Sequence, residues 1–242
     1  MMIHTQALPT FFLILLSVYL TAYFVVFRSW PAKRKAEASS SFTSLAHGGP
    51  VVAMAVKALL DSPTASLSSP NTNRHRITFD FCLAYFLMDS LHYLMFFPRN
   101  VLFILHHVGT MYVLITCRYI VGHGAHGLLV LLILAECTSP LQNVWSIAGY
   151  RRSDSPAAAA WFKLLSLPFL ASYSIVRGVL GPLYVVQLIS FYLREANEEL
   201  VPAWAWVSWS SIVVVSIIVS VLWVKNHWVR WVEETMDESK KG

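Results

Sequence analysis

Long apolar tracts alternate with short polar joints along the chain. The first, residues 10–27 (TFFLILLSVYLTAYFVVF), reaches roughly 27 Å as a helix at ~1.5 Å per residue, nearly the thickness of a hydrocarbon core. Similar tracts run at about 45–60, 79–97, 101–121, 125–148, 161–193 and 203–224. The pattern predicts an all-α fold in one domain, a polytopic membrane helical bundle of about seven transmembrane helices, six to eight at the bounds. Tract 161–193 would be ~50 Å long as one straight helix, too long for a ~30 Å core, so Pro168, Gly178, Gly181 and Pro182 predict a kink or an early exit. Residues 1–44 are expected to form an anchor helix and a cytoplasmic loop, 45–225 the transmembrane domain, and 226–242 a charged, frayed tail. The stretches AKRKAEASSS (32–41) and DSPTASLSSPNTNRHR (61–76) have the composition of loops.

Composition agrees with this class: 56% of the residues are hydrophobic and 13% charged, too apolar for an ordinary soluble domain. The net charge of +5 sits singly or in short runs beside the tracts. Loop charges look this way, which sets nucleic acid aside as a partner and leaves membrane lipids. Arg28, Lys33, Arg34 and Lys35 follow the first tract rather than precede it, so it reads as an uncleaved anchor. Joints on that side also carry Arg99, Arg151, Arg152, Lys225, Arg230, Lys240 and Lys241. The opposite joints carry Arg74, Arg76, Arg118 and Arg194, the last beside three glutamates. The excess predicts an outside or lumenal N-terminus and a cytoplasmic C-terminus. Trp204, Trp206, Trp209, Trp223, Trp228 and Trp231 flank the last tract as an interfacial belt would. The ending SKKG holds a lysine third from the end, part of a dilysine retrieval pattern, which points to the endoplasmic reticulum or another endomembrane. Cys82, Cys117 and Cys137 have no CxxC spacing and are expected to pack. His123 and His126 are three apart, yet Gly122, Gly124 and Gly127 make that stretch a turn. Position 103 is Phe, so no HxxHH element precedes the double histidine, and no metal is expected.

Ionisable residues inside the tracts carry the chemistry. Each costs about 2.5–3.5 kcal/mol at membrane depth, so they need partners or a wet cavity. His47, Lys57, Asp89, His92, His106, His107, Glu136 and Arg177 occupy five consecutive tracts. They are expected to line one shared interior. His106 and Thr110 are four apart and share a helix face, with His107 about 100° further round, so one imidazole can face a cavity while a neighbour orients the other. Tyr85 and Asp89 share a face by the same spacing, and Asp89 and His92 are neighbours. A carboxylate beside an imidazole fixes its tautomer and raises its basicity, as a general base or nucleophile requires. The other reading of the same charges is structural: Asp89 or Glu136 neutralises Arg177.

Four segments together resemble the TLC domain family. YFLMD (85–89) resembles its YFxxD helix, FILHHVGT (103–110) its double-histidine helix, and AECTSPLQN (135–143) the Glu, Pro and Asn segment of its TLCD branch. Arg177 with Pro182 resembles its RxxxxP element, and His47 in SLAHG its early-span histidine. The resemblance covers about residues 45–225 and implies a lipid-associated module. In the ceramide synthases of that family the double histidine is implicated in moving an acyl group from acyl-CoA to a sphingoid base. Carried over, it implies His106 and His107 as catalytic, with Asp89 and Glu136 as orienting carboxylates and acyl-CoA as co-substrate. No resident cofactor is implied. Arg177, His47, Thr110, Asn143 and Tyr85 become candidates for holding a lipid and its head group. Where the ceramide synthases continue with HDxxD, this chain reads Glu136, Cys137, Thr138, Ser139 and Pro140. That departure favours the TLCD-like branch, whose members are associated with membrane lipid composition and homeostasis. Lipid handling, acyl transfer and a transport or cargo-receptor role are the three functions to be separated.

Overall fold

The computed structural model describes residues 7–194 and 200–239. They form seven rods: α1 Ala7–Val26, α2 Ala32–Leu60, α3 Asn73–Phe96, α4 Val101–Val121, α5 Ala125–Arg151, α6 Pro156–Arg194 and α7 Ala203–Ser239. Outside the helices, Pro70 and His123 make an isolated extended pairing. Six of the rods are long and apolar enough to cross a membrane. The other is α3, whose Asp80, Asp89 and His92 lower its hydropathy. Its 24 residues still span ~36 Å, and those three side chains are buried against neighbouring helices.

Two stretches read as loops are helical. Residues 32–44 are the first turns of α2, because Ala, Lys, Arg and Glu favour helix and the hydroxyls need no water. Ser39 donates to the Lys35 carbonyl (2.8 Å) and Thr43 to that of Ser39 (2.9 Å), satisfying their polarity on the helix itself. The other is NRHR, which opens α3. The Thr72 hydroxyl accepts from the His75 N–H at 3.3 Å and the His75 ring accepts from the Thr72 N–H at 3.2 Å, a reciprocal cap. At the far end α7 stays helical to Ser239, where a frayed tail was expected, while Lys240 and Lys241 lie outside the described residues, as do the three glutamates beside Arg194.

Irregular turns match only some of the breakers: Pro50 and Pro168 sit inside regular α-helix, and the π turn Ala22–Val26 holds neither Gly nor Pro. The long sixth tract is bent: a π turn, Ser174–Leu180, precedes Gly181 and Pro182. Ahead of Pro140, α5 loosens at Cys137 and Thr138. Between α4 and α5 the chain reverses through Gly122 and Gly124 at φ 72° and 88°, backbone that a Cβ would strain. Cys82 and Cys117 are buried, but Cys137 is exposed rather than packed.

Helix contacts close a ring. Rod α2 packs on α3, α3 on α4, α4 on α7, α7 on α6, α6 on α5, and α5 back on α2. Outside this ring α1 lies against α2 and α3. Leu13, Phe24, Leu102, Leu105, Leu164, Leu183, Val186 and Ile218 are exposed, while polar side chains turn inward. An apolar exterior around a polar interior suits lipid as the solvent. The tryptophans of α7 depart from a simple belt. Trp204 is exposed, but Trp209 donates to Thr116 and Trp228 to Ser174, each at 2.8 Å, because a buried indole N–H needs an acceptor.

Candidate functional site

Inside the ring lie two adjacent chambers. The polar one, about 190 Å³, is walled by hydroxyl and amide side chains of α2, α3 and α5, among them Ser40, Ser44, Tyr85, Gln142 and Asn143. The apolar one, about 140 Å³, lies between α4, α5, α6 and α7, with Val113, Leu128, Leu132, Ile212 and Ile217 on its walls. Phe86, His106, Glu136 and Arg177 border both, so they form the neck. The polar chamber sits toward the end where α2 and α4 start and α3, α5 and α7 finish. That is the end flanked by Arg28, Lys33, Arg99, Arg152 and Lys225.

Close approach of α2 to α5 builds the polar wall. Gly48 allows it, because a Cβ there would stand 3.1 Å from the Ser139 Cβ and 3.4 Å from the Glu136 carboxylate. Asp89 on α3 is at the centre of the hydrogen bonding. Its Oδ1 accepts from Ser40 at 2.7 Å, while its Oδ2 accepts from Tyr85 at 3.5 Å and meets His107 Nε2 at 3.0 Å. His107 Nδ1 donates to the Phe103 carbonyl at 2.9 Å. With that nitrogen committed, one proton is shared between Nε2 and the carboxylate: an imidazolium donates to it, or a carboxylic acid donates to the ring. Both residues are almost fully buried.

His106 differs from its neighbour. Its ring makes no side-chain hydrogen bond among the described residues, and it faces both chambers. Thr110 shares its face and lines the apolar chamber, its hydroxyl donating to the His106 carbonyl at 2.8 Å. On α5, Glu136 is buried. Arg177, on the π turn of α6, donates from Nη2 to the Ala135 carbonyl and holds its guanidinium 5.3 Å from the centre of the Tyr173 ring. Its Nε is buried without a partner among the described residues. The structural reading of these charges has no direct ion pair behind it, although the charge of Arg177 does act on Glu136. Among the described residues no carboxylate comes within 4.0 Å of Arg177, and Asp89 belongs to His107. Asn143 lines the polar chamber and donates to Ser44 (2.9 Å) and the Ser139 carbonyl (2.8 Å).

Not every ionisable residue expected in the shared interior is there. His92 turns outward to α1, where its Nδ1 accepts from the Tyr19 hydroxyl at 2.8 Å. Near the end of α2, Lys57 is exposed. His47 is fully buried behind the wall, stacked on Tyr85 with ring centres 4.0 Å apart. Sequence reasoning missed Ser40, Ser41 and Ser44, because a serine run was taken for a loop. It also missed Tyr93, Tyr150 and Trp223, which look like ordinary span aromatics, yet line the polar chamber. A second buried ion pair, Asp80 with Arg118, lies near the opposite end, where Tyr119 also donates to Asp80 at 2.9 Å.

An apolar ring of crossing helices around a divided interior defines a multi-pass integral membrane protein. Residues 37–228 match the TLC domain. The chain is also 48% identical over 229 residues to a TLC domain-containing protein of Arabidopsis thaliana, covering 94% of this chain and 90% of that protein. It therefore belongs to the TLC domain family, and the match takes in most of α2 and all of α3 to α6, leaving α1 outside.

Proposed function

We propose that the chain binds a membrane lipid inside the ring and thereby contributes to membrane lipid composition. The observation that carries this reading is the adjacency of a polar and an apolar chamber, with Arg177 lining both. A half-buried guanidinium whose Nε lacks a partner and which has no carboxylate within 4.0 Å among the described residues calls for an anion, and an adjoining apolar chamber calls for hydrocarbon. Together the chambers reach the lower end of the ~300–1,000 Å³ range of small-molecule sites. Positive charge at the polar end supports a cytoplasmic placement for it, with the N-terminus lumenal in the endoplasmic reticulum or a related membrane. The test is mass spectrometry of lipids retained by the purified chain. Arg177→Met and Leu128→Trp, one removing the charge and one filling the apolar chamber, are each expected to lower retention at least roughly fivefold without loss of the folded peak. Equal retention by both variants overturns the reading.

A second reading, acyl transfer, is favoured by His106. Its ring faces the neck beside the Asp89–His107 pair. Its nitrogen would attack the thioester carbon of acyl-CoA, the C–S bond would break, and the ring proton would leave with the thiolate. An amine or hydroxyl would then take the acyl group from the imidazole and return its proton to the ring. Intact-mass analysis after incubation with acyl-CoA tests this. An acyl adduct in wild type and His107→Ala but not in His106→Ala supports it; no adduct in any form removes it.

A further inference from the structure

Resting on the lipid-binding reading, we infer that the head group taken into the polar chamber is zwitterionic, with a phosphate at Arg177 and an ammonium beyond it toward the polar end. Two ionisable groups at the neck set the requirement, a half-buried guanidinium whose Nε has no partner among the described residues and a buried carboxyl. Arg177 and Glu136 border the same space without forming an ion pair. Asp89 is already taken by Ser40, Tyr85 and His107, which leaves Glu136 as the carboxylate with capacity for a cation. A purely anionic head group would satisfy Arg177 and repel Glu136, and a simple amine would do the reverse. A ligand carrying both charges meets both, and buried charges tolerate no weaker arrangement.

Aromatic rings on the chamber wall supply the second, independent observation. Tyr93 and Phe103 pack with ring centres 4.3 Å apart, and Phe103 continues to Trp223 at 6.3 Å, so α3, α4 and α7 present one aromatic wall. Tyr150 also lines the chamber from α5, its hydroxyl 3.4 Å from that of Ser41. Aromatic rings lining the same chamber as a carboxyl group are surroundings that can hold an ammonium, quaternary or primary. The order of the parts also fits one molecule. Apolar chamber, guanidinium neck and aromatic box follow one another as acyl chain, phosphate and ammonium do in a glycerophospholipid.

Purified full-length chain in nanodiscs, challenged with lipids of one acyl composition, tests the assignment by competition and mass spectrometry. The set is phosphatidylcholine, phosphatidylethanolamine, phosphatidylglycerol and the free fatty acid. At least one zwitterionic lipid is expected to outcompete phosphatidylglycerol by roughly tenfold or more, and Glu136→Gln to abolish that preference while phosphatidylglycerol still binds. Phe103→Leu, which keeps the wall apolar but removes a ring face, is expected to narrow the preference in the same direction. If phosphatidylglycerol binds as well as both zwitterions, or the preference survives Glu136→Gln, the inference is wrong and lipid binding stands. If none of the four binds, the lipid-binding reading itself falls.

Discussion

His106 and His107 are adjacent in sequence and opposite in circumstance. Both nitrogens of His107 are engaged, one by a carbonyl of its own helix and one by Asp89, so its ring is held in place. Removing one member of such a buried pair leaves the other without its partner, which costs about 3–5 kcal/mol. His107→Ala is therefore expected to lower the melting temperature sharply, whereas His106→Ala, which breaks no side-chain hydrogen bond, leaves it within a few degrees. Scanning fluorimetry in detergent checks the contrast; equal losses would refute it. At this scale the sequence was half legible. Helical spacing put Tyr85 with Asp89 and His106 with Thr110, and both pairs share a face as expected. Spacing fixes angles within one helix but not which face turns inward. That is why His92, three residues from Asp89, was expected in the interior and instead meets Tyr19 on α1.

Among the elements, α2 departs furthest from expectation and shapes the site most. Its serines resembled a loop because composition cannot tell hydroxyls wetted by solvent from hydroxyls bonded one turn back along their own helix. Its paired glycines separate two effects. Gly48 faces α5 at contact distance, while a Cβ on the exposed Gly49 meets nothing within 4 Å. Gly48→Ala is expected to destabilise the protein by about 1–3 kcal/mol through overpacking. Gly49→Ala should be neutral or stabilise it by up to about 1 kcal/mol through helix propensity. Thermal unfolding of the two variants side by side measures the difference. Destabilisation of the same size in both would show that α2 and α5 are not held this closely.

For the whole molecule, apolar tract lengths made the number of the rods legible. Ring closure was not, since it depends on which faces pair between helices far apart in the sequence. Orientation has its own test. Cysteine substitutions at Ser153, between α5 and α6, and at Thr64, between α2 and α3, should label from opposite sides of sealed microsomes: Ser153→Cys from the cytoplasm, Thr64→Cys only after permeabilisation. The reverse pattern would invert the proposed topology. The π turn at Ser174–Leu180 has a genetic consequence as well. A π turn amounts to one residue inserted into an α-helix. Deleting a residue within it lets the helix close into α geometry, and Gly181 keeps its place against Ile217. Elsewhere in α6 the same deletion would swing everything downstream by about 100°. A codon-deletion scan should therefore find one short tolerated window in this helix, and chains deleted there should fold normally while losing the reach of Arg177 into the neck.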